Sequence, residues 1–228
     1  MWKWLQKLEQ KRRRSRSFDA LLKGSPFLKA SDYQDVFALI SNDFKTAGFF
    51  VEFGAADGQD LSNTWVLEKV FKWRGIVAEP GRNWHSDLTR NRSCCISKEC
   101  VWSASGQVLS FLECNGPTLS TIRDFAAKDG WDRIGAGYST YEVNTISLVD
   151  LLQKYDAPST IDFMSVDTEG SELDILTAFD WDRYSINALC VEHNYTAGRQ
   201  DLFRLLTKHG YKRVYEGISG ADDWYVPS

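Results

Sequence analysis

The sequence has no apolar run near the ~20 residues that a membrane-spanning helix needs, and its N-terminus passes from Met1 straight into a charged segment. We therefore expect neither a membrane span nor a secretory signal. The 5 cysteines show no CxxC spacing, which argues against a metal cluster or a disulfide framework and favours free thiols in a reducing compartment. These absences together favour a cytoplasmic protein.

Charge is distributed unevenly along the 228 residues. Residues 1–29 carry 9 Lys and Arg against Glu9 and Asp19, a net charge of +7, which leaves −11 for the rest of a chain whose total is −4. An acidic body repels phosphates, so we expect no nucleic-acid partner. Hydrophobic residues at 43% are sufficient for the core of one domain. We divide the chain into a basic, partly helical N-terminal arm at 1–29 and a domain at 30–228.

Within the arm, Trp2, Leu5 and Leu8 recur every three residues and form a short apolar stripe on a predicted helix that leads into Lys11–Arg16. This pattern is compatible with peripheral contact between residues 1–17 and an anionic membrane surface. A solvated arm that packs loosely on the domain is the alternative.

The most informative segment is Phe49–Gly58, with the sequence FFVEFGAADG. Its strand-like apolar run ends in a turn of small residues, and the next apolar run, Gly75–Ala78, ends in the carboxylate of Glu79. A bound nucleoside needs this layout, because glycines let the backbone approach the ligand and the acid can accept both ribose hydroxyls.

The composition of this turn distinguishes between nucleoside ligands. It is not a GxGxxG motif, since Ala56 stands where the second glycine would admit a pyrophosphate. Glu52 and Asp57 would repel a diphosphate, but they suit a ligand with an ammonium and a sulfonium, and S-adenosylmethionine (SAM) has both. An ordinary strand–turn–helix without a ligand is the alternative.

Apolar runs of strand type alternate with helical patterns through the domain. This alternation predicts an α/β fold, a mostly parallel sheet with helices on both faces. The last two strands, Tyr211–Tyr215 and Trp224–Val226, have no helix between them, which predicts an antiparallel hairpin at one edge of the sheet, with the C-terminal strand as the edge strand. Val108–Glu113 adds a further strand, and residues 116–141 are expected to be irregular with one short helix. They belong to a predicted acceptor-side insertion at about 113–145.

Ligands of such sheets bind beyond the carboxyl ends of the strands. The ionisable residues that follow the predicted strands are nearly all acids or histidine, and like charges grouped at one edge cost stability unless a cation binds there. Taken singly, each has a simpler explanation, since Asp167 could cap a helix and His193 could be a satisfied loop histidine. The polar residues at this edge are Glu52, Asp57, Asn63, Glu79, Asp167, Glu169, Glu192 and His193.

Five motifs occur in order along the chain, and together they resemble the FkbM family of SAM-dependent methyltransferases. The resemblance runs from about Ser31 to Val226. It implies the Rossmann-like fold of class I methyltransferases, with a seven-stranded sheet whose last strand is antiparallel, and methylation of hydroxyl oxygens on sugars and on polyketide or lipid-like molecules. The motifs are FFVEFGAADG, SNTWVLEK (Ser62–Lys69), GIVAEP (Gly75–Pro80), FMSVDTEGSELDIL (Phe163–Leu176) and CVEHN (Cys190–Asn194).

The resemblance also implies roles for individual residues. The turn Glu52–Gly58 would hold the methionine part of SAM, Glu79 would bind the ribose hydroxyls, and Asn63 would steady the carboxylate side. Asp167 would lie beside the methionine amine or the acceptor. The predicted cofactor-binding residues are Glu52, Gly54, Ala55, Asp57, Gly58, Asn63, Glu79 and Val101.

An alcohol is a poor nucleophile at neutral pH, so its methylation needs a general base or a metal. Asp167, Glu192 and His193 resemble, by position, the ligands of metal-dependent catechol-type O-methyltransferases, and this set would suit Mg²⁺ or, because of the histidine, Mn²⁺. Those enzymes have a lysine base three residues after the first acid, where this chain has Gly170. Glu169 or His193 would then have to take the proton, and His193 as a metal-free base is the rival hypothesis. The predicted catalytic residues are Asp167, Glu169 and His193.

The sequence therefore predicts a SAM-dependent O-methyltransferase acting on a hydroxyl of a small polar acceptor, sugar-like or lipid-linked. One alternative is a NAD-dependent oxidoreductase, against which the missing GxGxxG motif and the acids of the turn count. The other is a catalytically inactive module that binds SAM or a protein partner with the same fold. Acids kept together at Glu52, Glu79 and Asp167 argue against an inactive module.

Overall fold

The computed structural model describes residues 25–115, 118–128, 132–133, 135 and 137–228. The basic arm lies almost wholly outside this part of the chain, so its helix and its membrane contact stay predictions. Within the described residues, no helix is long and apolar enough to cross a membrane. All 5 cysteines are free thiols, as predicted.

Seven strands form the central sheet. Numbered along the chain, they are β1 (Phe49–Phe53), β2 (Arg74–Ala78), β3 (Cys95–Ser97), β9 (Phe163–Val166), β11 (Leu189–Glu192), β12 (Tyr211–Val214) and β13 (Asp222–Pro227). Their order in the sheet is β12-β13-β11-β9-β1-β2-β3, and the neighbours from β11 to β3 are parallel. Every residue of β1 is buried, as expected for a central parallel strand covered on both faces.

The antiparallel hairpin at one edge of the sheet is confirmed, but the C-terminal strand is not the outermost strand, which corrects that part of the prediction. β13 is antiparallel to both of its neighbours, with Leu189 paired to Tyr225 on one side and Lys212 paired to Val226 on the other. β12 is the outermost strand, and its Lys212 and Arg213 are compatible with that place because charged residues are tolerated at a sheet edge. β13 buries Trp224 and Tyr225 completely and therefore takes the inner position.

Helices cover both faces of the sheet, as predicted. Successive residues of a strand point to opposite faces, so Phe50 and Val51 belong to two different core clusters. The cluster on the face of Phe50 includes side chains from the helices Gln34–Ser41, Trp65–Lys69 and His85–Asn91, and the cluster on the face of Val51 includes side chains from Leu148–Lys154, Glu172–Thr177 and Gly198–Lys208.

A second sheet of four strands packs beside the first. Its strands are β4 (Cys100–Trp102), β5 (Val108–Cys114), β6 (Thr121–Ile122) and β7 (Tyr138–Ser147), in the order β4-β7-β5-β6. The predicted short helix is the 3₁₀ turn Arg123–Phe125. The expectation of irregular structure through residue 141 is wrong in its last part, since β7 begins at Tyr138 and pairs with the whole of β5. Two short strands, β8 (Thr160–Ile161) and β10 (Ser185–Ile186), form a separate pair.

Candidate active site

The ends of β1, β2, β9 and β11 open onto a cavity of about 530 Å³, and the start of β13 reaches the same edge. The second sheet closes one side through Val101, Phe111 and Ile122. Parallel α/β sheets bind their ligands at this position. The described lining residues include eight acids and no lysine, arginine or histidine. The acids are Asp32, Glu52, Asp60, Glu79, Asp167, Glu169, Glu192 and Asp222.

Glu52 organises the loop that follows the turn. Its Oε1 accepts a hydrogen bond from the backbone N–H of Asn63 at 2.6 Å. Its Oε2 accepts from the hydroxyls of Ser62 and Thr64 and from Nη1 of Arg92. Because both oxygens are engaged within the protein, the carboxylate of Glu52 positions this loop, and Asn63 with it.

Two glycines of the turn are required for different reasons. Gly54 has a φ of 69°, a conformation that favours glycine. A Cβ there would lie 2.2 Å from the backbone oxygen of Asp167, so only glycine lets the turn pack this closely against the end of β9. Gly58 has a φ of 77°, and a Cβ there would meet Leu88 and Arg92 at 2.6 Å. Gly58 therefore serves the packing of the turn against the helix His85–Asn91 and not the cavity.

The turn residues predicted to bind the cofactor separate into two groups. Gly54 and Ala55 line the cavity, whereas Asp57 and Gly58 do not. The Oδ1 of Asp57 accepts hydrogen bonds from two backbone N–H groups further along the chain, at 2.8 Å each. Asp57 thus stabilises the turn itself, which is a common use of aspartate in turns.

Glu79 stands at the end of β2, where the backbone holds its carboxylate. Oε2 accepts from the N–H of Ala56 at 2.9 Å, and Oε1 accepts from the N–H of Gly81 at 2.6 Å. Burial raises the pKa of Glu79 to about 7 against these hydrogen bonds, and the charge of Glu113 adds to the rise. A carboxylate has about four lone-pair sites, so Glu79 keeps capacity for a ligand.

Asn63 and Val101 also line the cavity. The Nδ2 of Asn63 donates to the hydroxyl of Ser165 at 2.8 Å, while its Oδ1 is buried and has no hydrogen-bond partner among the described residues. Leaving such a group unsatisfied costs about 1–3 kcal/mol, and a donor on a ligand would remove that cost. Val101 contributes apolar surface from β4.

Asp167 and Glu192 form a pair of neighbouring carboxyls at the ends of the adjacent parallel strands β9 and β11, with carboxylate oxygens within 4.8 Å of each other. Burial, followed by the charge of Asp222, raises the pKa of Asp167 to about 8. Burial and the charge of Asp167 raise the pKa of Glu192 well above its usual value. Two carboxyls this close cannot both ionise readily, so the pair retains a proton near neutral pH.

Glu169 is held by hydrogen bonds from three other parts of the chain. Its Oε2 accepts from Nη2 of Arg133 at 2.9 Å and from Nδ2 of Asn194 at 3.3 Å. Its backbone oxygen accepts from the hydroxyl of Thr121. A carboxylate that is paired with arginine is a poor proton acceptor, so the structure gives Glu169 a positioning role more readily than that of a base.

The structure does not bring His193 to the cavity. Glu192 and His193 are consecutive at the end of β11, and successive side chains of an extended chain point to opposite sides. The Nδ1 of His193 accepts from the N–H of Tyr195 at 3.0 Å, and its Nε2 lies 3.7 Å from Oδ1 of Asp223. Burial lowers the pKa of His193. The ring is therefore a buried structural group behind the strand.

The acids that could converge on a cation are Asp167, Glu169 and Glu192, whose carboxylate oxygens lie within 4.8 Å of one another. This set differs from the predicted metal ligands, in which His193 takes the place of Glu169, because strand alternation turns the histidine away. A set of oxygens alone suits Mg²⁺, and it lacks the nitrogen ligand that favours Mn²⁺ or another transition ion.

Asp222 is a cavity acid that the sequence pattern does not single out. It opens β13 and is the register partner of Glu192 across the antiparallel pair. Its Oδ2 accepts from Nε2 of Gln34 at 2.8 Å. Burial, and to a lesser extent the charge of Asp32, raises the pKa of Asp222 to about 7 against that hydrogen bond. The only sequence signal is its place before an apolar run that must reverse direction to join a parallel sheet.

A seven-stranded sheet with one antiparallel strand, and an acidic cavity at the carboxyl ends of its parallel strands, define a Rossmann-like α/β fold with a ligand site at its usual edge. The family model described as "Methyltransferase FkbM domain" matches residues 52–213. The chain belongs to the FkbM methyltransferase family. A comparison with curated protein sequences gives no match.

Two solved structures resemble the chain over nearly their whole length. A precorrin-6y C5,15-methyltransferase from Geobacter metallireducens is 11% identical with a TM-score of 0.46, and the match covers 89% of this chain and 90% of that one. A methyltransferase from Pyrococcus furiosus is 12% identical with a TM-score of 0.43, and the match covers 96% of this chain and 97% of that one.

Methyltransferases of this family use SAM, and the residues present fit that cofactor. The cavity offers carboxylates to its sulfonium and ammonium groups, and no described basic side chain in the lining opposes them. Glu79 and Gly54 both line the cavity, and the carboxylate of Glu79 keeps lone pairs that can accept hydroxyl donors. The unpaired Oδ1 of Asn63 is a ready acceptor for an ammonium.

Proposed function

We propose that the protein transfers a methyl group from SAM to a hydroxyl oxygen of a small polar acceptor, sugar-like or lipid-linked. The carboxyl pair of Asp167 and Glu192, at the centre of the acidic cavity edge, carries this proposal. When bound, SAM supplies an activated methyl group, which leaves the protein to align the acceptor oxygen and to remove its proton.

The residues that would hold SAM lie between β2 and β9. Glu79 accepts the ribose hydroxyls with the lone pairs that Ala56 and Gly81 leave free. Gly54 and Ala55 admit the methionine part, and Asn63 accepts a hydrogen bond from its ammonium. Glu52 acts indirectly, because it holds the loop of Asn63 in place.

The proton of the acceptor hydroxyl passes to the carboxyl pair. Asp167 is the proposed proton acceptor, because its pKa of about 8 lies well above that of an ordinary carboxylate. Glu192 lies within 4.8 Å of it, and its charge favours the protonated form of Asp167. His193 takes no part, since it lies behind the strand.

A divalent cation held by Asp167, Glu169 and Glu192 is the second candidate mechanism, and the grouping of their oxygens within 4.8 Å favours it. The cation would lower the pKa of the acceptor hydroxyl directly. Activity that vanishes with EDTA and returns with Mg²⁺ would support the cation, and activity that EDTA leaves unchanged would support the carboxyl pair alone.

We also propose a cytoplasmic protein whose basic N-terminal arm contacts anionic membranes, so that a lipid-linked acceptor is brought near the cavity. The net charge of +7 on residues 1–29 supports the contact. The acidic cavity and the acidic body argue against a nucleic-acid acceptor.

The test is a reaction of the protein and SAM with a panel of sugars and lipid-linked alcohols, followed by mass spectrometry. The proposal expects S-adenosylhomocysteine (SAH) and an O-methyl ether in equal amounts. Asp167→Asn, which keeps the shape of the side chain but cannot serve as the base, should yield neither. A methyl group found on nitrogen or carbon would contradict O-methylation.

A further inference from the structure

The cavity acids form a row along the edge of the sheet, and one end of the row lies beyond the part assigned to SAM. The strand order places the tips of β2, β1, β9, β11 and β13 side by side. From one end to the other these tips carry Glu79, Gly54, Asp167, Glu192 and Asp222. Neighbouring strands are ~4.8 Å apart, so Asp222 is separated from Glu79 by about four such spacings.

Asp222 is a buried acid to which the described chain offers no cation. Its one hydrogen-bond donor is the neutral amide of Gln34. The next residue, Asp223, points to the other side of β13 and is held by Arg199 at 2.7 and 2.9 Å and by Arg213 at 3.1 Å. Of two consecutive aspartates, the chain has neutralised the one outside the cavity and left the one inside it without a counter-charge.

Glu192 adds an independent observation beside Asp222. Its Oε2 is buried and has no hydrogen-bond partner among the described residues, and Glu192, which lines the cavity, is only 9% exposed. A buried carboxylate oxygen without a donor is costly. The cost would be removed by a ligand that brings hydrogen-bond donors, and preferably positive charge, to this end of the cavity.

We propose that Asp222 and Glu192 bind a protonated amine of the acceptor, so that the acceptor is an amino alcohol, such as an amino sugar. The proposal rests on the proposed function, because it assigns the rest of the cavity to SAM. An ammonium has three donors, enough for the free oxygen of Asp222 and the unpartnered Oε2 of Glu192. With the amine anchored there, a hydroxyl two or three bonds away from the amine nitrogen would lie beside Asp167.

The probes are 2-amino-1,3-propanediol, whose amine is protonated at neutral pH, and glycerol, its neutral counterpart. Both are titrated by NMR into the full-length protein saturated with SAH. We expect the amine to bind roughly tenfold more tightly than glycerol, the value of one charge-assisted hydrogen bond. Asp222→Asn should abolish the preference, since asparagine still accepts from Gln34 but has lost the charge. Asp182→Asn, the same change at an exposed site away from the cavity, should preserve it.

Equal binding of the two probes, or no binding of either, overturns the proposal, and so does a preference that survives Asp222→Asn. Loss of SAH affinity in a folded Asp222→Asn variant also overturns it, because Asp222 would then belong to the cofactor site. Calorimetry with SAH alone separates the two levels. If the protein binds SAH but does not prefer the amine, only the amine site is wrong. If the protein does not bind SAH, the proposed function is wrong, and the same titration of the two probes repeated without SAH then tests the amine site by itself.

Discussion

The guanidinium of Arg92 and the carboxylate of Glu52 form a buried ion pair, with Nη1 3.3 Å from Oε2 and side-chain exposures of 0% and 3%. Arg92 also donates to the carboxylate of Glu68 and to the hydroxyl of Thr64. The pair lies beneath the loop that carries Asn63. Arg92 therefore stabilises the acidic turn and the loop after it, although Arg92 itself does not line the cavity.

Replacing that arginine should destabilise the fold strongly. Arg92→Ala leaves Glu52 buried without its counter-charge, a change that typically costs about 3–5 kcal/mol. Arg90→Ala removes an exposed arginine whose partner is Asp87, and such surface pairs are worth about 1 kcal/mol or less. Urea unfolding of both variants measures the difference, and similar losses for the two would contradict the buried network.

Without ligand, the stability of the protein should fall as the pH rises from about 5 to about 8. The pKa values of Glu79 and Asp222 are raised to about 7 and that of Asp167 to about 8. Between the ordinary and the raised pKa, the folded state binds more protons than the unfolded state, so the free energy of unfolding decreases with pH in this window. Unfolding curves at three pH values measure the slope, and Asp222→Asn should make it shallower. A free energy of unfolding that increases across this pH range would contradict the raised pKa values of these buried acids.

Asp167 and His193 should differ sharply in their importance for turnover. Asp167→Asn removes the proposed base and should reduce kcat by at least ~10²-fold, the usual contribution of general base catalysis. His193→Gln changes a ring that lies behind β11 and should leave kcat within about threefold of the wild type once folding is matched. Rates of SAH release measure both. A folded His193→Gln variant that is as inactive as Asp167→Asn would restore His193 as a catalytic residue.

The arm at residues 1–17 should increase binding to anionic vesicles without affecting SAM. Its attraction is mostly electrostatic, so the binding should weaken as salt is raised. Co-sedimentation of the full chain and of a variant lacking these residues, with anionic and with neutral vesicles, measures it. Equal sedimentation of the two proteins would remove the membrane contact.

Local sequence patterns predict much of the fold, but they predict less of the candidate active site. β1, Phe49–Phe53, coincides with the strand-like run read from the sequence, because a continuous buried run stops at Gly54. β7 was missed because most of its side chains up to Asn144 are exposed or half-buried, and its pairing with β5 holds it in the sheet. Such a strand has little periodic apolar signal of its own.

The candidate site shows the same division. Glu79 and Asp167 follow apolar runs directly, so their places at the sheet edge are readable from the sequence. The direction in which a side chain points at a strand end cannot be read from the sequence. Glu192 and His193 were therefore grouped as metal ligands, although they face opposite ways. Arg92 lies 40 residues from Glu52, and only the packed helix brings the two together.

Calorimetric titration with SAM of the wild-type protein and of Glu79→Gln tests the central claim most directly. The wild type should bind one SAM per chain, and the variant should bind it roughly ten- to a hundredfold more weakly, because a charge-assisted hydrogen bond to a ribose hydroxyl is worth about 1.5–3 kcal/mol. Asp182→Asn, a change at an exposed acid outside the cavity, should bind like the wild type. A wild-type protein that does not bind SAM, or a folded Glu79→Gln variant with unchanged affinity, would contradict the account.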